Sequence, residues 1–97
     1  MANKLTTNPV YLDTFAADVT IFSDTCHPKV IVMNSDTAGD KLVFNDLDGN
    51  VVAIISVDTA DQTAQLWLPE TEFQSKGLVF DLSASAIAGT VTALIYA

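Results

Sequence analysis

The sequence predicts an all-β fold, a single-domain antiparallel β-sandwich or jelly-roll-like domain of about eight short strands. Three observations carry this expectation. Apolar residues alternate or run in short blocks and do not recur at the i, i+3, i+4, i+7 spacing of an amphipathic helix. The blocks are rich in Val, Ile, Thr and Phe, which suit a pleated surface. Turn clusters return at intervals of about ten residues, the spacing of sandwiches, jelly rolls and small barrels. Strand order stays open among those three.

In chain order the expected strands are Pro9–Leu12, Asp18–Ser23, Lys29–Asn34, Lys41–Asp46, Val51–Val57, Thr63–Leu68, Leu78–Leu82 and Thr90–Tyr96. Polar clusters separate them at residues 34–40, 46–50 and 58–62, each with Asx or Gly residues that form Asx-turns or accept positive φ. Asp48-Gly49 is the clearest hairpin signal, joining Leu42–Phe44 to Val51–Ile55. One helical turn is expected around Pro69–Phe73, where Pro and two acids resemble a helix start. Ser83–Gly89 reads as a small-residue crossing loop. The domain is expected over residues 9–97, preceded by a flexible arm, 1–8, that shows no apolar pattern.

Composition narrows the function. The chain has 97 residues, four Lys, no Arg and twelve acids, for a formal charge of −8. So few cations argue against nucleic acid, where counterion release needs clustered Lys and Arg, and against anionic membrane surfaces. The opening residues lack the apolar core of a signal peptide, and no apolar run approaches a membrane span, so synthesis in a cytoplasm is expected. The one cysteine, Cys26, has no internal disulfide partner. A small core must then supply the stability, alone or with partners.

Little in the sequence points to a reaction, and no enzyme is expected. Cys26 and His27 are adjacent, so on a strand they would face opposite ways, which suits neither nucleophile nor base. One Cys and one His cannot complete a zinc site, and neither metal nor cofactor is expected. Asn45–Asn50 has the look of a calcium loop, but placing Gly49 sixth puts Phe44 first and Ile55 twelfth, without the ligands. The Asp residues fall mostly at strand ends and in turns, where turn formation explains them more simply than paired-carboxylate chemistry.

Two strands are apolar on both faces: Val30-Ile31-Val32-Met33 and Val51-Val52-Ala53-Ile54-Ile55. An antiparallel sandwich normally wets its second face, so either the fold covers that face or a partner does. Trp67 lies between Leu66 and Leu68; whichever of these faces the core, large apolar groups stand opposite. The candidate interface residues are therefore Trp67, Tyr11, Ile31, Met33, Val52 and Ile54. The same aromatics could instead stack on a sugar.

Five segments carry a family resemblance: Asn8–Thr14, Pro28–Asn34, Ala38–Asp46, Asp48–Val52 and Gly89–Tyr96. With them the chain resembles small all-β proteins encoded near the virion genes of tailed phages. The resemblance is one of strand-and-turn rhythm over nearly the whole chain. It implies a structural virion protein on the capsid surface, most plausibly a decoration or cement protein that binds and stabilises the major capsid protein shell. It further implies a homo-oligomer, a trimer suiting threefold positions, and it carries over no catalytic residues. A β-sandwich binding module of a head or tail fibre or spike, reading carbohydrate or a host receptor, is the alternative.

Overall fold

The computed structural model describes residues 3–68 and 75–96. Its strands are β1 (Val10–Leu12), β2 (Val19–Cys26), β3 (Val30–Ser35), β4 (Lys41–Asn45), β5 (Val51–Ser56), β6 (Gln62–Trp67), β7 (Ser75–Phe80) and β8 (Val91–Tyr96). All eight expected strands are present. The pairing has a simple logic that starts at the Asp48-Gly49 turn. There β4 pairs with β5, and working outward β3 pairs with β6, β2 with β7, and β1 with β8, always antiparallel. The chain is one long hairpin rolled on itself, so that β3 also meets β8 and β4 meets β7. Two four-stranded sheets result, ordered β1-β8-β3-β6 and β2-β7-β4-β5. This is a jelly roll.

The side chains between the sheets follow the period of two. Val10, Leu12, Ile31, Met33, Ala93 and Ile95 enter from one sheet; Ile21, Leu42, Phe44, Ile55, Leu78 and Phe80 enter from the other. Phe80 is the centre of an aromatic group, edge-on to Phe15 with centroids 5.1 Å apart and to Phe44 at 6.0 Å.

The hairpin at the origin of the roll is closed by Asp46. Its Oδ1 accepts the N–H groups of Asp48 and Asn50, and its carbonyl accepts Gly49 N–H at 3.2 Å. Gly49 has φ +87°, the left-handed conformation that glycine adopts without a Cβ penalty. The calcium-like segment is thus a turn whose first carboxylate is occupied by its own backbone.

Strand ends depart from expectation in two places. β2 runs on to Cys26, past its expected end at Ser23, because two register shifts leave Ser23, Asp24 and Thr25 in solvent while the pairing with β7 continues. β7 starts earlier than expected, at Ser75. Lys76, before the expected start at Leu78, pairs with Thr25. Gly77 has φ +80°, and Leu47 from the β4–β5 loop occupies the place a Cβ would take. The expected helical turn at 69–73 lies outside the described residues.

Part of the expected arm meets the edge of β1. Asn3 Oδ1 accepts the N–H groups of Asp13 and Thr14, both at 2.9 Å, and Lys4 exchanges two backbone hydrogen bonds with Tyr11. These contacts use the Asn3 amide and the Lys4 backbone and need no apolar pattern.

Acids hold the crossing loop. Asp40, 2% exposed, accepts from Ser35 Oγ at 2.8 Å, Ala88 N–H at 2.9 Å and Gly89 N–H at 3.1 Å. Burial alone would push its carboxyl up, but the donors from Ala88, Ser35 and Gly89 prevail and hold it below its usual value. Asp36 binds Thr90 N–H and Asp18 binds Leu82 N–H.

Candidate interaction surface

The strands of the β1-β8-β3-β6 sheet contain no charged residue. In a chain of net charge −8 this is a marked segregation, because nine of the ten Asp lie outside strands and the tenth, Asp24, is in β2 of the other sheet. The outward side of this uncharged sheet is the candidate surface.

Register arranges it in rows. Tyr96 and Trp67 stand on either side of Val30; Leu94 and Gln65 stand on either side of Val32, with Tyr11 beyond Leu94; Thr92 and Thr63 flank Asn34. The first two rows are mostly apolar and the third is polar, with Asn34 Nδ2 donating to Thr63 Oγ1 at 2.9 Å. Trp67 and Tyr96 are two strand spacings apart, about 10 Å, and shelter Val30 down to 8% exposure. Between them is a shallow depression lined by Lys29, Val30, Val32, Gln65, Trp67 and Tyr96. Trp67 itself is 66% exposed. Its neighbour Leu68 is buried and Leu66 packs against the core, which settles the choice that the sequence left open.

The six candidate interface residues divide three ways. Trp67 and half-buried Tyr11 share the outward side of the β1-β8-β3-β6 sheet, one row apart. Ile54 is 53% exposed but belongs to β5 in the other sheet, and half-buried Val52 packs against the core. Ile31 and Met33 are corrected: both are 0% exposed and point between the sheets. The outward positions of β3 are Val30 and Val32, and a one-residue choice of phase separates the two assignments. Sequence reasoning also missed Leu94 as a surface residue. The alternation in Thr92-Ala93-Leu94-Ile95-Tyr96 carries the signal, with small Ala93 inward beside bulky outward neighbours.

Elsewhere, Cys26 is buried, and burial raises its thiol above the usual value despite a backbone hydrogen bond from Gly77. His27 beside it is exposed. Among the described residues no three His, Cys, Asp or Glu side chains gather as metal ligands. No family model, curated protein or solved structure matches this chain.

Proposed function

We propose that this chain is a structural virion protein of the capsid-decoration type. It docks on the major capsid protein through the outward side of the β1-β8-β3-β6 sheet and thereby stabilises the shell. The observation that carries the reading is the uncharged, aromatic-flanked sheet face on a chain of net charge −8. Solvent-facing sheets usually alternate charged and polar groups outward, and an apolar one gains by being covered. Covering an exposed Trp67 is worth on the order of 3 kcal/mol, the scale of an interface anchor. The rest of the molecule suits a static role: a rigid scaffold with its acids engaged in turns, to which we assign no reaction, cofactor, nucleic acid or membrane. The jelly roll is compatible, since it recurs in viral shells, although architecture by itself does not assign function.

The test is the protein content of purified virus particles together with binding to shells that lack the chain. The reading expects copies on the order of those of the major capsid protein, on the capsid surface, and loss of binding in Trp67→Ala with the fold retained. Its absence from particles overturns it.

A second reading has its own observation. Trp67 lies exposed beside Gln65 and Lys29, a stacking surface next to hydrogen-bonding groups, as sugar recognition requires. In that reading the chain is the receptor- or glycan-binding module of a fibre or spike. Glycan-dependent quenching of Trp67 fluorescence supports it, and silence across a glycan array removes it.

A further inference from the structure

The two flanks of the sandwich are finished differently. On one flank, β1 is only three residues long and Lys4 exchanges backbone hydrogen bonds with Tyr11 at its edge. Beside it β2 is broken by two register shifts and carries Asp24. Short strands, covered edges, bulges and charges are the usual defences against edge-to-edge pairing. On the opposite flank β6 has none of them among the described residues. It is six residues long, uncharged, free of Pro and Gly, and matched to β3 over all six positions without a shift. Its neighbour β5 is uncharged as well.

The direction of the free groups follows from one hydrogen bond. Leu68 N–H donates to Lys29 O at 2.9 Å, so even-numbered residues of β6 direct their backbone groups to β3. Thr63, Gln65 and Trp67 then direct theirs to the open edge, and among the described residues no backbone group pairs with them there.

We propose that this edge pairs antiparallel with β6 of a second copy of the chain, joining two β1-β8-β3-β6 sheets into one. The assignment is independent of the proposed function. The strand is complementary to itself when the two-fold axis passes at Gln65. Gln65 then faces Gln65 of the second copy, and Thr63 and Trp67 exchange partners, giving about six backbone hydrogen bonds. On the inward side the same register sets small Ala64 against Leu66, covering two half-buried side chains that already pack against the core. Two chains of −8 repel, and β6 brings no carboxylate of its own to the seam. The pair has two-fold symmetry, in place of the trimer expected from the sequence.

Sedimentation of the intact chain at tens of micromolar, with three variants, tests this. The parent should be a dimer, and Gln65→Pro, which removes an edge donor without touching the β3 ladder, should be a monomer with unchanged circular dichroism. Gln65→Cys should give a covalent dimer under mild oxidation, since hydrogen-bonded antiparallel partners lie about 5.5 Å apart at Cα, within disulfide reach. Thr20→Cys, on the opposite flank, should not. A monomeric parent, a trimer, a dimer that survives Gln65→Pro, or equal crosslinking of both cysteine variants overturns the proposal. Should Gln65→Pro fail to fold, the cysteine pair decides alone.

Discussion

The outward sides of the two sheets treat apolar residues differently. In the β2-β7-β4-β5 sheet, Val43 sits between inward-facing Leu42 and Phe44, yet it is only 3% exposed. The 81–86 loop runs alongside it: Val43 N–H donates to Ser85 Oγ, Asp81 N–H to Val43 O, and Lys41 exchanges two hydrogen bonds with Ala86. In the β1-β8-β3-β6 sheet, Val30 and Val32 hold equivalent central positions, but their shelter comes from Trp67 and Tyr96, which are themselves exposed. One sheet has its own loop beside Val43, although Ile54 next to it on β5 stays exposed; the other leaves two aromatics at the surface, with no loop beside Val30 and Val32 among the described residues. Apolar area that the fold does not cover is available to a partner, and that asymmetry is the physical basis of the proposed docking face.

The comparison can be broken at graded depths. The largest effect is expected from Ile31→Ala, which removes a fully buried side chain of β3: a loss of about 4 kcal/mol in chemical denaturation, because a cavity adds to the lost transfer energy. A loss under about 1 kcal/mol would place Ile31 on the surface after all. Asp40→Ala comes next. It strands the Ala88 and Gly89 N–H groups and leaves the Ser35 hydroxyl only its longer bond to Thr37 O, so about 2 kcal/mol should be lost, with faster amide exchange concentrated in residues 86–90.

Gly77→Ala should cost about 2 kcal/mol, since φ +80° and the Leu47 side chain both oppose a Cβ. Leu47→Ala in the same background should recover part of it by relieving the steric component alone. The smallest stability change is expected at the other sheet. Trp67→Ala should change the unfolding free energy by no more than about 0.5 kcal/mol, while abolishing binding to the proposed partner. A large stability loss there would mean that Trp67 serves the fold, and the asymmetry between the sheets would disappear.

Acid sharpens the same contrast. The carboxyls of Asp40, Asp46 and Asp81 are held below their usual value: burial at Asp40 is outweighed by the Ala88, Ser35 and Gly89 donors, Asn50 N–H leads at Asp46, and the Ser83 hydroxyl leads at Asp81. A carboxyl depressed in the folded state binds protons more readily when unfolded. Its stabilisation is therefore complete above the unfolded value of about 4 and is lost as pH falls below it toward the folded value. Thermal unfolding followed from pH 6 to pH 2 should show the midpoint falling on the acid side, less steeply in Asp40→Asn. A midpoint insensitive to acid would contradict these assignments.

All eight strands were legible because each is a local pattern: β-branched residues at period two between Asx and Gly turns. The hairpin at Asp48-Gly49 was legible for the same reason. The end of β2 was not, because a bulged edge tolerates Ser23-Asp24-Thr25 in solvent, and that tolerance is a property of the pairing with β7. Of the residues the sequence offered for the surface, Trp67 is exposed, whereas Ile31 and Met33 are buried. A strand apolar on both faces gives no clue to its phase, and only neighbours fix which residues face inward.

By itself, then, the sequence determined a strand-and-turn chain, acidic in its turns and nearly uncharged in its strands, with more apolar surface than one thin sandwich consumes. Tertiary structure decided which of the three architectures is built, which half of β3 faces the core, and which sheet is left with its aromatics in solvent. These depend on pairings such as β1 with β8, whose partners stand more than eighty residues apart. Contacts at that separation leave no local period to read. They are fixed only when the nested hairpin rolls and both sheets close on one core.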